Sequence, residues 1–277
     1  MAERVPFAGW REAGVDPSKP NMARIYDYWL GGTSSLTLDR ELAKRMETLD
    51  RYIPVSCRAN RAFLGRAVRY AAGQGIRQFL DIGSGIPTAG NVHEIAQQAA
   101  PGARVVYADI DPVAVADSRN LLAGNDGATV IQADLRDPAQ ILGHPEVQRL
   151  IRLTEPVAVT LAAVLHFLTP ADDPYGVVAH LRNVMPPGSL LVISHAATEG
   201  SPALAEAAQR IYSKRVADGQ ARSRAEILRF FGGWELAEPG LVWAPQWRPN
   251  SLGDVPPDPE RFWVLAGVAR ERERACR

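Results

Sequence analysis

The chain has 277 residues, 46% of them apolar, and its 31 basic side chains are balanced by 31 acidic ones. That is enough apolar material for a large core in one or two domains, and the zero net charge offers no field for nucleic acid or an anionic membrane surface. The charged start Met1-Ala2-Glu3-Arg4 is no secretion signal, and the longest nearly uncharged apolar run, Val157 to Leu168, is too short for a bilayer. Cys57 and Cys276 lie far apart without a ligand pattern, so neither disulfide nor metal site is expected, and a soluble cytoplasmic protein fits best.

Residues 1–20 carry proline and charge without a period and read as an irregular lead-in. From Asn21 to Leu30 the positions Met22, Tyr26 and Trp29 follow i, i+4, i+7, and Gly31-Gly32 ends the helix. Further helical patterns run over Leu38–Leu49 and Arg58–Ala72, so roughly 75 mostly helical residues precede the first strand. Five strand candidates follow: Gln78–Ile82, Ala103–Ala108, Ala128–Ala133, Pro156–Ala163 and Ser189–His195. They are continuous apolar runs, as strands covered on both faces should be. Helix starts between and after them are marked by Asp111-Pro112, Asp137-Pro138, Thr169-Pro170 and Ser201-Pro202, and by capping boxes at Asn91/Glu94 and Ser223/Glu226. The alternation argues for a parallel α/β sheet. An inserted helix at about 202–217, a helix at 223–231 and late strands at 234–244 and 261–269 complete the pattern, before a charged tail from Arg270.

Ligands of such sheets bind outside the carboxyl ends of the strands. The first end is Phe79-Leu80-Asp81-Ile82-Gly83-Ser84-Gly85-Ile86-Pro87-Thr88, a strand running into a Gly-x-Gly turn. The third glycine of the dinucleotide fingerprint is replaced by Thr88, and Pro87 removes a backbone N–H, so the loop suits a nucleoside ligand without a pyrophosphate. S-adenosylmethionine is the candidate. At the second end Asp109 is the acid assigned to ribose hydroxyls, with Ile110 on the adenine face, because Asp111 before Pro112 has a helix to cap. At the third end Asp134 can accept from the adenine amino group and Leu135 can line the ring, while Asp137 caps a helix. The fourth end offers the small Ala162 and then His166, the candidate general base, against a plain structural role at the sheet edge. His195, ending the fifth strand, is a weaker candidate of the same kind. Of Trp234, Trp243, Trp247 and Trp263, most are expected to pack on the sheet rather than form a substrate box.

Leu80–Gly85, Val106–Pro112 and Gln132–Leu135 resemble motifs I to III of the Rossmann-fold (class I) S-adenosylmethionine-dependent methyltransferases. More narrowly, the chain is similar to an actinobacterial family of such enzymes formerly catalogued as a domain of unknown function. Ala23–Gly32, Asn60–Leu64, Asn91–Glu94, Val164–Phe167 and Gly188–His195 carry that match, and it extends over about residues 17–269. The resemblance implies a seven-stranded, mostly parallel sheet with an antiparallel last strand and helices on both faces. It also implies a helical cap (1–75) over the pocket of a cofactor-binding domain (76–277), the two forming one unit. Tyr26 and Arg24 would lie at the methionine end of the cofactor, and Arg61 would pair with its carboxylate; for Arg24 an i, i+3 pair with Asp27 is the competing role. The acceptor, expected to be a small molecule, is not identified. A non-catalytic S-adenosylmethionine-binding module and, more remotely, a nicotinamide-dependent oxidoreductase are the alternatives.

Overall fold

The computed structural model describes residues 16–88, 90–199 and 219–271. Three helices come first: α1 (Met22–Trp29), α2 (Thr37–Leu49) and α3 (Ile53–Gly73). Then β1 (Gln78–Ile82), β2 (Arg104–Asp109), β3 (Ala128–Gln132), β4 (Ala158–Ala162) and β5 (Leu190–Ala196) alternate with helices. These are α4 (Val92–Ala99), α5 (Pro112–Leu121), α6 (Pro138–Gly143), α7 (Pro145–Leu150) and α8 (Pro174–Val184). After β5 come α9 (Arg224–Phe231), β6 (Glu235–Leu236), β7 (Val242–Trp243) and β8 (Val264–Arg270). The expected helix at 202–217 and its Ser201-Pro202 start lie outside the described residues.

The sheet order is β3-β2-β1-β4-β5-β8-β6, with β7 also on β8. β1 to β5 are mutually parallel, and β8 runs antiparallel to β5, β6 and β7. Eight strands replace the seven expected because the strand foreseen at 234–244 is cut in two. Pro239 has no N–H for the ladder, and Gly240 turns the chain at φ +87°. The cap foreseen at Thr169 opens only a short 3₁₀ turn, Pro170–Asp172; α8 starts later, where the Asp173 carboxylate accepts from Gly176 N at 3.1 Å.

Apolar residues on both faces of each strand explain the unbroken apolar runs. Leu80, Val106, Val159 and Leu191 pack with Ile141, Leu181 and Phe230 from helices on one side. Phe79, Val105, Ala158 and Val192 pack with Phe63, Ala67, Val92 and Val115 on the other. α3 joins two layers. Its later turns cover the sheet, while Ile53 and Cys57 from its first turns belong to a separate cluster with Ile25, Trp29, Leu42 and Met46 of α1 and α2. A buried ion pair, Arg24 Nε to Asp39 Oδ2 at 2.6 Å, locks α1 to α2, and Asp39 also accepts from Asn21 N and Leu36 N. The Asn21 amide reaches Asp111, tying this helical layer to the sheet.

The order reverses between β1 and β4, so their crossover helices diverge to opposite faces and leave a crevice at the carboxyl edge. The helical layer lies over that crevice.

Candidate functional site

A cavity of about 740 Å³ opens there, lined by strand-end residues from β1 to β5, the first residue of β8, and α1 and α3. That is within the range of about 300–1,000 Å³ that holds small molecules. From β3 to β8 it crosses five strand spacings, about 24 Å at ~4.8 Å each.

The β1–β2 end is a clamp. Gly83 takes φ +75°, and a Cβ there would collide with Val164; Gly85 takes φ +67°, with nothing near the place of its missing Cβ. Asp109 holds this loop by accepting from Gly85 N at 2.7 Å and Asp111 N at 2.8 Å. Burial pushes Asp109 up to about 6, against the pull of those two amides. Asp81, bonded to the Thr160 hydroxyl, is pushed to about 6 by burial as well. Asp111 caps α5 through Val113 N and Ala114 N, so the two neighbouring acids do divide their tasks. Ile110 lies exposed beside Asp109, and Leu135 is a buried part of the wall. Asp134 is engaged by Arg136 at 2.6 Å, which holds its carboxyl low, and Arg136 also reaches Asp172 at 3.8 Å.

Ala162 and Ala163 line the cavity, and Ala163 takes the left-handed backbone at φ +56°. His166 follows on a 3₁₀ turn (Leu165–Phe167) and also lines it. Its Nδ1 is buried without a partner, and burial, aided by Arg222, pushes its pKa to about 4, so the imidazole is neutral at pH 7. His195 is different. It is fully buried and off the cavity wall, with Nδ1 2.8 Å from Ala196 O and Nε2 2.8 Å from Arg222 Nη1. An arginine can only donate, so Nε2 accepts and Nδ1–H donates to the carbonyl. Arg222 also donates to Leu165 O at 2.9 Å and Leu168 O at 2.7 Å, gripping the turn that carries His166.

From the helical layer, Tyr26 lines the cavity with its hydroxyl occupied: it donates to Cys57 O and accepts from Asn60 Nδ2, both at 3.0 Å. Arg61 lines the cavity without a hydrogen bond or ion pair among the described residues, and its field reaches Tyr26 and Asp81. Arg24 is not brought to this site. Its guanidinium is fully buried against Asp39 and Lys19 O, because the α1 face that carries it turns toward α2; the pair with Asp27 does not form either.

Five buried polar atoms on the wall have no partner among the described residues: Ser56 Oγ, Asn60 Oδ1, Ser84 Oγ, His166 Nδ1 and Trp263 Nε1. Leaving such an atom unpaired costs about 1–3 kcal/mol, so their concentration here marks a ligand site. Sequence reasoning missed Ser56, Asn60 and Arg222. The neighbours of Ser56 and Arg222 on the chain gave no sign that these would meet the strand tips, whereas Asn60 stands beside Arg61 in the block Asn60–Leu64 and was named there without a role of its own. Most of the four tryptophans pack as expected: Trp247 is buried edge-on to Phe63 and Tyr70, and Trp234 and Trp243 pack on the core, while Trp263 packs partly on the core and also lines the cavity.

An adenosyl amino acid suits this donor set. An acid at the end of β2 could accept from sugar hydroxyls, an open turn at Gly85 leaves room for a sugar, and Arg61 with Asn60 Oδ1 could complement a zwitterionic carboxylate and ammonium. No second unpaired cation for a pyrophosphate lines the cavity among the described residues.

The sequence matches the profile of the S-adenosyl methyltransferase family over residues 8–272. The fold superposes on a candidate methyltransferase from Thermobifida fusca at TM-score 0.89 and 42% identity, covering 95% of this chain and 99% of that one. A DUF574 family protein from Streptomyces avermitilis gives TM-score 0.89 and 40% identity, with 93% and 99% covered. An O-methyltransferase family protein from Burkholderia thailandensis, 14% identical at TM-score 0.54 over 82% of this chain and 59% of that one, shares the fold alone. No curated protein matches the sequence. Among the described residues no helix is long and apolar enough to cross a membrane.

Proposed function

This chain belongs to the S-adenosyl methyltransferase family and takes S-adenosylmethionine as its cofactor, and on that footing we propose that it methylates a small-molecule acceptor with His166 as the base. Asp109 binds the ribose hydroxyls, and Ile110, Asp134 and Leu135 border the adenine. Arg61 pairs with the methionine carboxylate while Asn60 Oδ1 accepts from its ammonium. Tyr26 braces Asn60 rather than meeting the ligand through its hydroxyl. Gly83, Ser84 and Gly85 form the turn beside the sugar, underpinned by Asp81, and Ala162 leaves room at the centre.

The sulfonium supplies an already activated methyl group, so the protein's main work is to align it with the acceptor, worth up to roughly 7–11 kcal/mol in favourable cases. As the acceptor atom gains the methyl, the electron pair of the broken C–S bond stays on sulfur and any proton released passes to neutral His166. Arg222 positions His166 by holding the carbonyls on either side of it.

The observation that carries this reading is Arg61, a cation without an ion-pair partner among the described residues, on the wall of a cavity also lined by Asp81 and Asp109. Calorimetry with S-adenosylhomocysteine tests it. Affinity in the micromolar range for the wild-type chain, lost on Arg61→Met, is expected; no affinity for that compound or for S-adenosylmethionine sinks it. Transfer of a labelled methyl group to a small molecule from an actinobacterial extract tests the acceptor class; label confined to protein or nucleic acid overturns it.

A further inference from the structure

We propose that the stretch of cavity over β5 and β8 is the acceptor subsite and that it takes an uncharged aromatic molecule bearing a hydroxyl, held by Ser56 and Trp263. The inference rests on the reading above for the cofactor's place, and its test is separable from it.

The first argument is extent. With the adenosyl group across the tips of β1, β2 and β3, the cavity still continues to Ala196 and Ala197 after β5 and to Trp263 and Val264 at the start of β8. That remainder spans about three strand spacings, ~14 Å, which is room for a second reactant.

The second argument is charge. Two arginines line the cavity, and Arg136 is taken by Asp134 and Asp172. Arg61 is therefore the cation left over among the described wall residues, and the cofactor's own carboxylate claims it. A carboxylate or phosphate on the acceptor would find no free cation among the described wall residues. A cationic acceptor fares no better, since the β5–β8 wall is built from residues such as Ile53, Cys57, Phe167, Ala196, Ala197 and Val264. Burying an unpaired charge there is heavily penalised.

The third argument is the polar remainder. Trp263 sits at φ +37°, a backbone conformation unusual for a bulky aromatic, and is pinned there. Its N–H donates to Glu260 O at 3.0 Å and its carbonyl accepts from Ala197 N at 2.8 Å. Its indole packs against the cluster holding Ile53 and Cys57, yet leaves Nε1 without a partner. Ser56, one residue before Cys57, is 1% exposed and its Oγ is equally unpartnered. A donor and a hydroxyl set among aromatic and aliphatic walls match the oxygen substituents of a planar neutral ring. A hydroxyl is the group that gives His166 a proton to take.

Calorimetry on the full chain saturated with S-adenosylhomocysteine decides it, using 1-naphthol and its carboxylated counterpart 1-hydroxy-2-naphthoic acid as probes. Naphthol is expected to bind at least about tenfold more tightly than the acid. Trp263→Phe and, independently, Ser56→Ala are each expected to weaken naphthol about three- to tenfold while S-adenosylhomocysteine affinity stays within about twofold. Equal or tighter binding of the carboxylated probe, no binding of naphthol to the loaded protein, or variants that change cofactor rather than naphthol affinity would each overturn the subsite. If the wild-type protein fails to bind S-adenosylhomocysteine at all, the cofactor reading falls first.

Discussion

The two halves of the cavity are built on different plans. Over β1 to β3 the wall is charged and already internally bonded: Asp109 is held by two backbone amides, Asp111 caps a helix and Asp134 is paired with Arg136. Over β5 and β8 the described wall is mostly apolar, with Gln220 beside it, and Ser56 and Trp263 carry polar atoms with no partner among the described residues. One half is made from residues adjacent to their own strand ends. The other is assembled from α3 and β8, about 200 residues apart in the chain. A half that recognises a constant ligand can be encoded in short motifs, whereas a half that selects an acceptor draws on whatever long-range packing brings to it.

His166 lies between the halves, and its loss is expected to have the largest effect. His166→Ala should lower kcat by about 10²–10⁴-fold while leaving the S-adenosylhomocysteine Kd within about twofold, as measured by single-turnover methyl transfer and calorimetry. A full-speed variant would put proton removal elsewhere and dissolve the boundary drawn here.

Arg24 of the helical layer sharpens the contrast next. Arg24→Met leaves Asp39 buried without its cation, so denaturant unfolding should show a loss of about 3–5 kcal/mol. Since Arg24 is off the cavity wall, the folded variant should still bind S-adenosylhomocysteine within about threefold of wild type. A selective loss of affinity with unchanged stability would return Arg24 to the site.

A smaller effect is expected at Asp109. Asp109→Asn keeps the shape and an acceptor oxygen for Gly85 N but removes the charge offered to the ribose. Calorimetry should show about 1.5–3 kcal/mol lost, roughly 10- to 150-fold in Kd. An equal loss of naphthol affinity in this variant would mean the halves are not independent.

Much of the cofactor half was legible because local rules write it. Two glycines at positive φ follow an apolar strand, and an aspartate before Pro112 must cap, which releases Asp109 for other work. The parallel alternation and the covering of both faces followed from the same apolar runs, whereas the order of the strands in the sheet came from the structure. What failed did so for long-range reasons. Arg24 reads as surface or ligand-facing until α2 supplies Asp39 from 15 residues away. Trp263 is not told apart from the core tryptophans until the turn at Pro259–Phe262 swings it over the strand tips. Arg222 leaves no local pattern, since its partner Leu168 beside the His166 turn is 54 residues distant, and Asn60, though part of the block Asn60–Leu64, shows no role until Tyr26, 34 residues away, meets it. The late strand was miscounted because the break at Pro239-Gly240 was passed over, although both residues stood in the sequence.

pH offers the mildest test and one that separates the halves without mutation. Burial pushes both Asp81 and Asp109 to about 6, above the unfolded value near 3.9. With ribose hydroxyls donating to the carboxylate of Asp109, as proposed, binding favours its ionised form, and S-adenosylhomocysteine affinity should fall as pH drops from 7 to 5, by up to about tenfold. Unfolding cannot mimic this loss. A carboxyl whose folded pKa is raised takes up its proton more readily in the folded state, so these two groups stabilise the fold as pH falls through 6 toward 4. His166, held near 4, stays largely neutral from pH 7 to 5 and keeps its capacity to accept a proton there. Over β5 and β8, no Asp, Glu, Lys, Arg or His is among the wall residues named above, so naphthol affinity for the loaded protein should stay flat between pH 5 and 7. Asp109→Asn should flatten most of the cofactor curve and leave only the share due to Asp81. A naphthol curve that bends near 6, or a cofactor curve that does not, would show that the charge is distributed otherwise than the two halves require.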